Sequence, residues 1–582
     1  MAVIASRALF VLLLSSSLAA VGCGGDDDPG MGGDSSVPGR DGGPGVDGGP
    51  GTDGGPPGGC DPLTATPPWP DFVPDWPGSG RNASGRTAYV MLEDGATVEG
   101  LRVERVTATS AIIRWTTAGD ASSAVAWGTS PDVCPAGYQR TGARRDHRMA
   151  IGPLEPGTEY HVTAQSDDGS SASVASITLT TESTGAATVL TDCGTISEPG
   201  DYRLTADVTA DCTCFEITGT DVRLDLGFHR VTYAETSTAE QCHGVQVRGD
   251  GAEVARGTIQ QGSAGGDSYS HGVAIRSVNG ATVEQLFIHV VGSDANGLRS
   301  MFSGAVSVRD VIVVSGVREV LDRHYPGNRG IALDLTDDGA GEVEDCILFG
   351  VPHWGIYMTG GDRLDSRPAG GQTRVIRNNH VFADMHATNG YGLGVHANHV
   401  EVAHNEIRPL HNGRAIHYTG SNADIHHNIV EAVELVDGDP AEGYAYYSDT
   451  ADPSSPHDPS VCTWVVAHGI RIESGNYGVV HHNEVVSYSL PTVSFGATGL
   501  NISTSDGARG GNEVHDNQFT TLMAEGSRDC SGGLPMVAGW VRGAAPTEPA
   551  NLHDNRFVSD GDTLLIEDPA LATSTDDELV GP

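Results

Sequence analysis

The second half of the chain alternates short apolar segments with polar turns in a recurring order. One repeated segment opens with glycine, or once with alanine, and then places apolar residues at every second position. Alternation with a period of two predicts β-strands that bury one face. These segments are Gly330–Asp334, Gly355–Thr359, Gly392–His396, Ala415–Thr419, Gly469–Glu473 and Gly499–Ser503.

A second repeated segment is an apolar strand that ends near an asparagine. Its asparagines are Asn379, Asn405, Asn428, Asn483, Asn517 and Asn555. The interval is 13 residues from Gly392 to Asn405 and 14 residues from Gly469 to Asn483. Constant spacing within a unit and variable length between units predict stacked rungs joined by surface loops.

The apolar residues of one such rung cannot be buried alone. Stacking the rungs at roughly 4.8 Å buries them in one continuous core. Asparagine tolerates a left-handed backbone and can hydrogen-bond the asparagines above and below it, so we expect an asparagine ladder. Residues 187–575 resemble the right-handed parallel β-helix superfamily, the pectate-lyase-like fold. The opening segment Cys193–Tyr202 is similar to the amino-terminal segment of many members.

An earlier region, 86–183, has the pattern of a small antiparallel domain. Ala111–Trp115 predicts a strand, and Ala124–Trp127 predicts another after a polar turn. The spacing of Leu, Pro, Thr and Tyr in Leu154–Tyr160 resembles the tyrosine corner of fibronectin type III domains. Ala175–Thr180 fits the last strand. The resemblance implies a spacer or binding module, and we assign this region no catalytic role.

The amino terminus has the pattern of an export signal. Arg7 precedes the apolar segment Ala8–Val21, which is too short to span a bilayer comfortably. The sequence Ala-Val-Gly-Cys that ends at Cys23 resembles a lipobox, so we expect residues 1–22 to be removed and Cys23 to be acylated. The chain would then be exported and anchored to a membrane, at the cell surface or in the periplasm. The alternative is an ordinary signal peptide followed by a chance cysteine.

Composition limits the partners. Residues 23–85 are rich in Gly, Asp and Pro and predict a disordered linker. The 582 residues carry a formal net charge of −43. This charge repels nucleic-acid phosphates, so we expect no nucleic-acid partner. Acidic polysaccharides would be repelled as well unless a cation bridges the two, although many secreted proteins are acidic for solubility alone.

Export also permits disulfides. Of the ten cysteines, nine lie after Cys23, and this odd number leaves at least one thiol free or paired with another chain. Cys193 with Cys212 or Cys214 is the favoured bridge, because these residues flank a short hairpin-like segment. No spacing typical of a zinc site occurs.

Aligning the glycine-opened strands predicts two columns of side chains on one outward face. The first column is Ala332, Tyr357, Gly394, His417, Arg471 and Asn501, and the second is Asp334, Thr359, His396, Thr419, Glu473 and Ser503.

A base, a cation and an acid in these columns suit sugar chemistry. We expect Arg471 to act as cation or base and His417 as base or acid, with Glu473, His396 and Tyr357 in support. Since carboxylates are few here, lyase chemistry is favoured over hydrolysis. The resemblance implies that polysaccharide enzymes of this fold use such a face, but no diagnostic family motif is present. The alternative is a solvated polar face without chemistry.

Two further features suggest ligands. The long insertion at 432–468 contains aromatic side chains that could stack on sugar rings and aspartates that could hold calcium, although a loop packed on the helix side is the simpler interpretation. These aromatic residues are Tyr444, Tyr446, Tyr447 and Trp464. Histidines beside the asparagines could bind a soft divalent metal or merely decorate turns, and we assign none as a metal ligand. They are His404, His426, His427, His481, His482, His515 and His553.

These patterns together predict an all-β, monomeric surface lipoprotein. Its β-helix is expected to bind an extracellular polysaccharide and, if it is an enzyme, to cleave it as a lyase or glycoside hydrolase. Calcium is the candidate cofactor. The competing hypothesis is a non-catalytic adhesion or envelope-structure protein, and metal handling is a third.

Overall fold

A computed structural model describes residues 95–581, with internal gaps. The chain is all-β: the described residues contain no α-helix, and therefore none that is long and apolar enough to cross a membrane. The expected signal peptide, Cys23 and the linker lie outside the described residues. The gaps are 184–186, 238–240, 263–268, 293–294, 316–328, 351–353, 361–373, 384–389, 412, 434–466, 490–496, 506–508 and 524–535.

The first described domain is a five-stranded antiparallel sheet. Its long second strand pairs with the first strand through its amino-terminal half, with the fourth through its carboxyl-terminal half, and with the third along both. The polar turn expected before Ala124 is wrong, because a register irregularity between Thr116 and Ala121 keeps one continuous strand. The Tyr160 hydroxyl accepts a hydrogen bond from the Glu155 amide at 2.9 Å. The strands are β1 (Glu99–Val106), β2 (Ala111–Gly128), β3 (Ala136–Ile151), β4 (Glu159–Asp167) and β5 (Ala172–Thr180).

The remaining strands form a 36-stranded sheet whose neighbouring rungs pair in parallel, as in a parallel β-helix. Strands β6–β18 are Thr188–Leu190, Gly194–Ile196, Gly200–Leu204, Val208–Thr209, Phe215–Ile217, Val222–Asp225, Arg230–Tyr233, Val245–Val247, Ala252–Gln261, Val273–Arg276, Asn279–Val290, Leu298–Arg309 and Ile312–Ser315. Strands β19–β29 are Arg329–Glu344, Ile347–Phe349, Trp354–Gly360, Arg374–Arg377, His380–Ala383, Gly390–Ala397, Val400–Ala403, Glu406–His411, Gly413–Tyr418, Asp424–His426 and Ile429–Val433. Strands β30–β41 are His468–Glu473, Val479–His481, Glu484–Ser489, Thr498–Thr504, Glu513–His515, Gln518–Met523, Val537–Gly543, Ala550–His553, Arg556–Ser559, Asp562–Ile566, Ala572–Thr575 and Glu578–Val580.

These strands stack in three columns, and four long strands, β14, β16, β17 and β19, each belong to two columns. The last rung ends at Val580, five residues past the expected boundary at 575. The first column is β7, β10, β13, β15, β17, β19, β21, β24, β27, β30, β33, β36 and β39. The second is β6, β8, β11, β14, β16, β17, β19, β22, β25, β28, β31, β34, β37 and β40. The third is β9, β12, β14, β16, β18, β20, β23, β26, β29, β32, β35, β38 and β41.

The core runs through the middle of the stack. In the first column, aliphatic residues in register on successive strands are completely buried, and each stabilises the fold by about 1.5–3 kcal/mol relative to exposure. This confirms the predicted continuous core. These residues are Ile331, Ile356, Leu393, Ile416, Ile470 and Leu500.

Glycine opens the first-column strands because the backbone of the next rung passes there. A Cβ on Gly355 would lie 2.5 Å from the carbonyl oxygen of Gly392, and one on Gly469 would lie 2.0 Å from the Val485 side chain. The recurring glycine is therefore a requirement of close packing between the first and third columns.

The asparagine ladder is confirmed. The Asn428 side chain donates to Asn483 Oδ1 at 2.9 Å, and its own Oδ1 accepts from the Asn405 side chain at 2.9 Å. We expected the asparagine itself to adopt the left-handed backbone conformation, but the residue before it does so instead. His427 has φ 54° and His482 has φ 52°. The turn needs its positive φ one position earlier, which leaves each asparagine side chain free to point inward.

Two disulfides connect neighbouring rungs. Cys193 bonds Cys214, and Cys212 bonds Cys242, each with a Cα–Cα distance of 4.7 Å. Of the two expected pairings, Cys193–Cys214 is therefore confirmed, and Cys193–Cys212 is wrong. The hairpin-like geometry assumed for it does not occur, because Gly194 pairs in parallel with Phe215 and brings Cys193 beside Cys214.

The antiparallel domain contacts the helix through buried charges. Arg144 Nη1 lies 3.2 Å from Asp345 Oδ1, and both side chains are 2% exposed. Arg148 Nη1 lies 2.5 Å from Asp310 Oδ2. These ion pairs fix β3 against the second column of the stack.

Candidate functional site

The predicted side-chain column on the glycine-opened strands is confirmed by register. Tyr357 pairs with Gly394, Gly394 with His417, His417 with Arg471, and Arg471 with Asn501. The first-column strands thus bring candidate residues from rungs that are distant in sequence onto one surface, called the site face below.

A hydrogen-bonded chain of three side chains crosses the site face. Glu473 Oε2 lies 2.9 Å from His417 Nε2, and His417 Nδ1 lies 3.2 Å from His396 Nε2. The Tyr391 ring stacks on His417 with a centroid distance of 4.5 Å. We call Glu473, His417 and His396 the relay.

Arg471 completes the acidic end of the relay. Its Nη2 lies 3.0 Å from Glu473 Oε2, which therefore accepts from both Arg471 and His417. These contacts lower the pKa of Glu473 to about 2, with the His417 hydrogen bond as the largest cause. Burial and the neighbouring Arg414 lower the pKa of Arg471 to about 10. The carboxylate is therefore ionised throughout the neutral range.

Burial also decides the charge of the central imidazole. His417 is 3% exposed, and burial lowers its pKa below the usual value of 6.5 despite the hydrogen bond to Glu473. The expected alternative of a solvated polar face is therefore wrong for His417 and for Arg471, which is 8% exposed. The Tyr391 ring covers one face of the His417 imidazole.

The sequence alignment missed a further row of side chains on the first-column strands. Its members lie immediately before the glycines. Its register joins Arg329 to Trp354, Trp354 to Tyr391, and Tyr391 to Arg414. The Arg329 guanidinium lies 4.1 Å from the Trp354 ring centroid, and the Trp354 and Tyr357 centroids are 4.1 Å apart. Aligning the chain one residue earlier would have revealed this aromatic and cationic column.

Polar groups without partners lie beyond Arg471. Asn501 is completely buried, and neither polar atom of its side chain has a hydrogen-bond partner among the described residues. The same holds for Nε of Arg471 and Nε of Arg542 within the described part of the chain. Buried polar groups are normally satisfied, so such a cluster points to water or a ligand at this position.

The site face concentrates positive charge on an acidic protein. The chain contains no lysine, so all 33 basic residues are arginine. Asp334 pairs with Arg299 at 2.6 Å, as Glu473 does with Arg471. The arginines outnumber these carboxylates, and the local field therefore differs from that of the whole chain. The arginines of the face are Arg299, Arg329, Arg414, Arg471 and Arg542.

The expected sugar-stacking residues Tyr444, Tyr446, Tyr447 and Trp464, and the aspartates proposed for calcium, lie outside the described residues. The histidines beside the ladder are described, and three of them form a group that could hold a metal ion. These three are His404, His426 and His427.

No protein-family model matches the chain, and no curated protein is significantly similar to it. The geometry of the described residues is therefore the basis for any function.

Proposed function

We propose that the site face binds an anionic extracellular polysaccharide and cleaves it by a lyase-like elimination. The observation that carries this proposal is the relay Glu473–His417–His396 beside buried arginines and an aromatic platform. Aromatic rings stack on sugars, and arginine binds a carboxylate in bidentate fashion.

Hydrogen-bond logic assigns the base. Ionised Glu473 only accepts, so His417 must donate from Nε2 and, being neutral, accept at Nδ1. His396 then donates from Nε2, which places its lone pair on Nδ1. We therefore assign His396 as the base and His417 as a positioning residue, reversing their expected order.

The reaction follows from these roles. The base removes the proton on the carbon next to the uronate carboxylate, while arginine stabilises the negative charge that develops there. The electron pair forms a carbon–carbon double bond, the neighbouring carbon–oxygen bond breaks, and the departing oxygen takes up a proton. Tyr357, 5.2 Å from His396 between ring centroids, lies near enough to position the sugar.

Non-catalytic binding is the second candidate. It is favoured by the stacked side chains of Arg329, Trp354 and Tyr357, which can bind a sugar without any proton transfer. An adhesion or envelope-structure protein would use the same aromatic and cationic columns without the elimination.

The deciding experiment incubates the purified full chain with polymers of uronic acids and with neutral glucans, with and without calcium. Elimination produces an unsaturated sugar end, which is measured by ultraviolet absorbance. We expect product only from the uronic acid polymers, and a loss of about 10²–10⁴-fold in rate for His396→Gln. His161→Gln, in the antiparallel domain, is the matched control.

Two outcomes separate the candidates. Binding without product would eliminate the lyase and retain the adhesion protein, and Arg471→Gln should then weaken that binding. Neither binding nor product with any polymer would overturn both.

The same proposal covers the rest of the chain and its attachment to a membrane. We infer a right-handed helix preceded by a fibronectin type III-like module, supported by the Tyr160–Glu155 hydrogen bond and the split pairing of β2. A lipid on Cys23 and a flexible linker would hold the monomeric helix outside the membrane, where long polymers occur. Calcium, if required, would act through the insertion at 432–468.

A further inference from the structure

The histidines beside the asparagine ladder form two parallel stacks. His426, His481 and His515 stack with centroid distances of 4.9 and 5.1 Å. In the other stack, His427 and His482 are 5.1 Å apart. Because neighbouring rungs repeat the same turn, imidazoles from segments far apart in sequence face one another.

The two stacks touch through ring nitrogens. His426 Nδ1 lies 2.9 Å from His427 Nδ1, and His481 Nδ1 lies 2.8 Å from His482 Nδ1. His404 belongs to the same group, since one nitrogen from each of His404, His426 and His427 lies within 4.8 Å of the others.

Carboxylates fix the tautomers of one stack. His481 Nε2 donates to Asp424 Oδ1 at 3.1 Å, and His426 Nε2 lies 3.6 Å from Glu401 Oε1. A proton on Nε2 leaves the lone pair on Nδ1, directed at the partner imidazole. A carboxylate behind a histidine is the usual outer-shell support of a metal-ligating imidazole.

We propose that His404, His426 and His427 bind a divalent transition metal of the copper(II) class. The His481–His482 pair offers a second set of ligands one rung along. This site lies on the turn between the second and third columns, and it is independent of the polysaccharide proposal.

The nitrogen separations are compatible with copper(II). With metal–nitrogen bonds of about 2.0 Å, ligands at a right angle are about 2.8 Å apart, whereas tetrahedral ligands are about 3.3 Å apart. The hydrogen-bonded nitrogens are 2.9 and 2.8 Å apart, so they would need less rearrangement to bind tetragonal copper(II) than tetrahedral zinc. Imidazole ligands and the high affinity of copper(II) for nitrogen agree with this choice.

A cavity beside the cluster leaves room for an ion. Its volume is about 80 Å³, and it is lined by His404, His427 and His482, with Asp120 and Asp516 on its wall. In the metal-free chain one Nδ1 of each pair donates to the other, and on metal binding that proton moves to Nε2.

The test uses the full chain with copper(II) chloride, followed by electron paramagnetic resonance and calorimetry. We expect a tetragonal signal with nitrogen hyperfine structure. The variant His426→Gln/His427→Asn should lose at least 100-fold in affinity at the first pair. Asparagine suits the turn at 427, because Asn378 occupies the equivalent position with φ 57°. His553→Gln, in the same turn column but followed by Asp554 instead of a second histidine, is the control and should bind as the wild type does.

A second variant avoids any change to the ligands. Asp424→Asn should weaken the His481–His482 pair by about 10–100-fold and leave the first pair intact. Equal copper affinity in the wild type, the double variant and Asp424→Asn would overturn the proposal. Absence of nitrogen hyperfine structure, or preferential binding of zinc over copper, would overturn it as well.

Discussion

Replacing one asparagine of the ladder should destabilise the rungs on both sides. Asn428 is completely buried, and its Nδ2 donates to the Val402 carbonyl at 2.8 Å and to Asn483 Oδ1 at 2.9 Å. Its Oδ1 accepts from the backbone N–H of Asn405 at 3.0 Å and from the Asn405 side chain at 2.9 Å. Asn428→Ala therefore removes the acceptor of the Asn405 backbone N–H and of one Nδ2 hydrogen of Asn405. Asn405 Nδ2 keeps its hydrogen bond to the Ile376 carbonyl, and Asn483 Oδ1 keeps the one from the backbone N–H at position 428.

The size of this effect follows from the unsatisfied groups. A buried donor or acceptor that loses its partner costs about 1–3 kcal/mol, so the two donors on Asn405 together cost about 4 kcal/mol. Since 1.4 kcal/mol is a factor of about ten, the exchange protection of the Asn405 amide should fall by about 10³-fold. Hydrogen exchange is the preferred assay, because a stack of rungs can open locally without unfolding as a whole.

Asn551→Ala is the matched control, because Asn551 is an exposed strand residue whose Oδ1 accepts only from Thr573 at 3.2 Å. Its effect on the free energy of unfolding should stay within about 0.5 kcal/mol. A loss below about 1 kcal/mol for Asn428→Ala would refute the reasoning, since it would mean that water replaces the missing amide in the core.

Three further predictions concern stability. Gly469→Ala should cost about 1–3 kcal/mol in unfolding free energy, measured by urea denaturation, because its Cβ would collide with the adjoining rung; an unchanged midpoint would contradict this. Arg144→Met should cost about 3–5 kcal/mol, because it leaves Asp345 buried without that cation; thermal unfolding measures it, and the double variant with Asp345→Asn should recover part of the loss. Burial lowers the pKa of His147 from 6.5 to about 3. Between these two pH values the unfolded chain binds a proton at this residue and the folded chain does not. The free energy of unfolding should therefore fall as the pH drops from about 6.5 toward 4, and a flat profile of denaturation midpoints would exclude this linkage.

The ladder and the strand register could be predicted because both depend on spacing alone. Nearly equal intervals, 13 residues from Gly392 to Asn405 and 14 from Gly469 to Asn483, indicate which residues stack. The left-handed residue could not be assigned in the same way. A His-His-Asn sequence permits positive φ at either of its last two positions, and only the inward side chain of Asn428 decides between them.

The residues of the candidate site could be predicted from the sequence, but their burial could not. Register placed His417 beside Arg471, as expected. The burial of His417 depends on the Tyr391 ring of the preceding rung, which lies outside the glycine-opened pattern that guided the alignment. The choice between Cys212 and Cys214 as the partner of Cys193 could not be made for a related reason: the Cys193–Cys214 bridge is determined by rung stacking, which local spacing does not reveal.

The stack of parallel strands has an open end at β41, where Leu579 is 53% exposed. An unpaired strand edge is a template on which a second copy could add and begin a filament. Here Asp576 and Glu578 are exposed beside that edge, and Asp577 ends the ladder by accepting from Asn555 at 3.0 Å. Two copies meeting through this edge would bring these carboxylates together, and the repulsion between them would oppose such an addition.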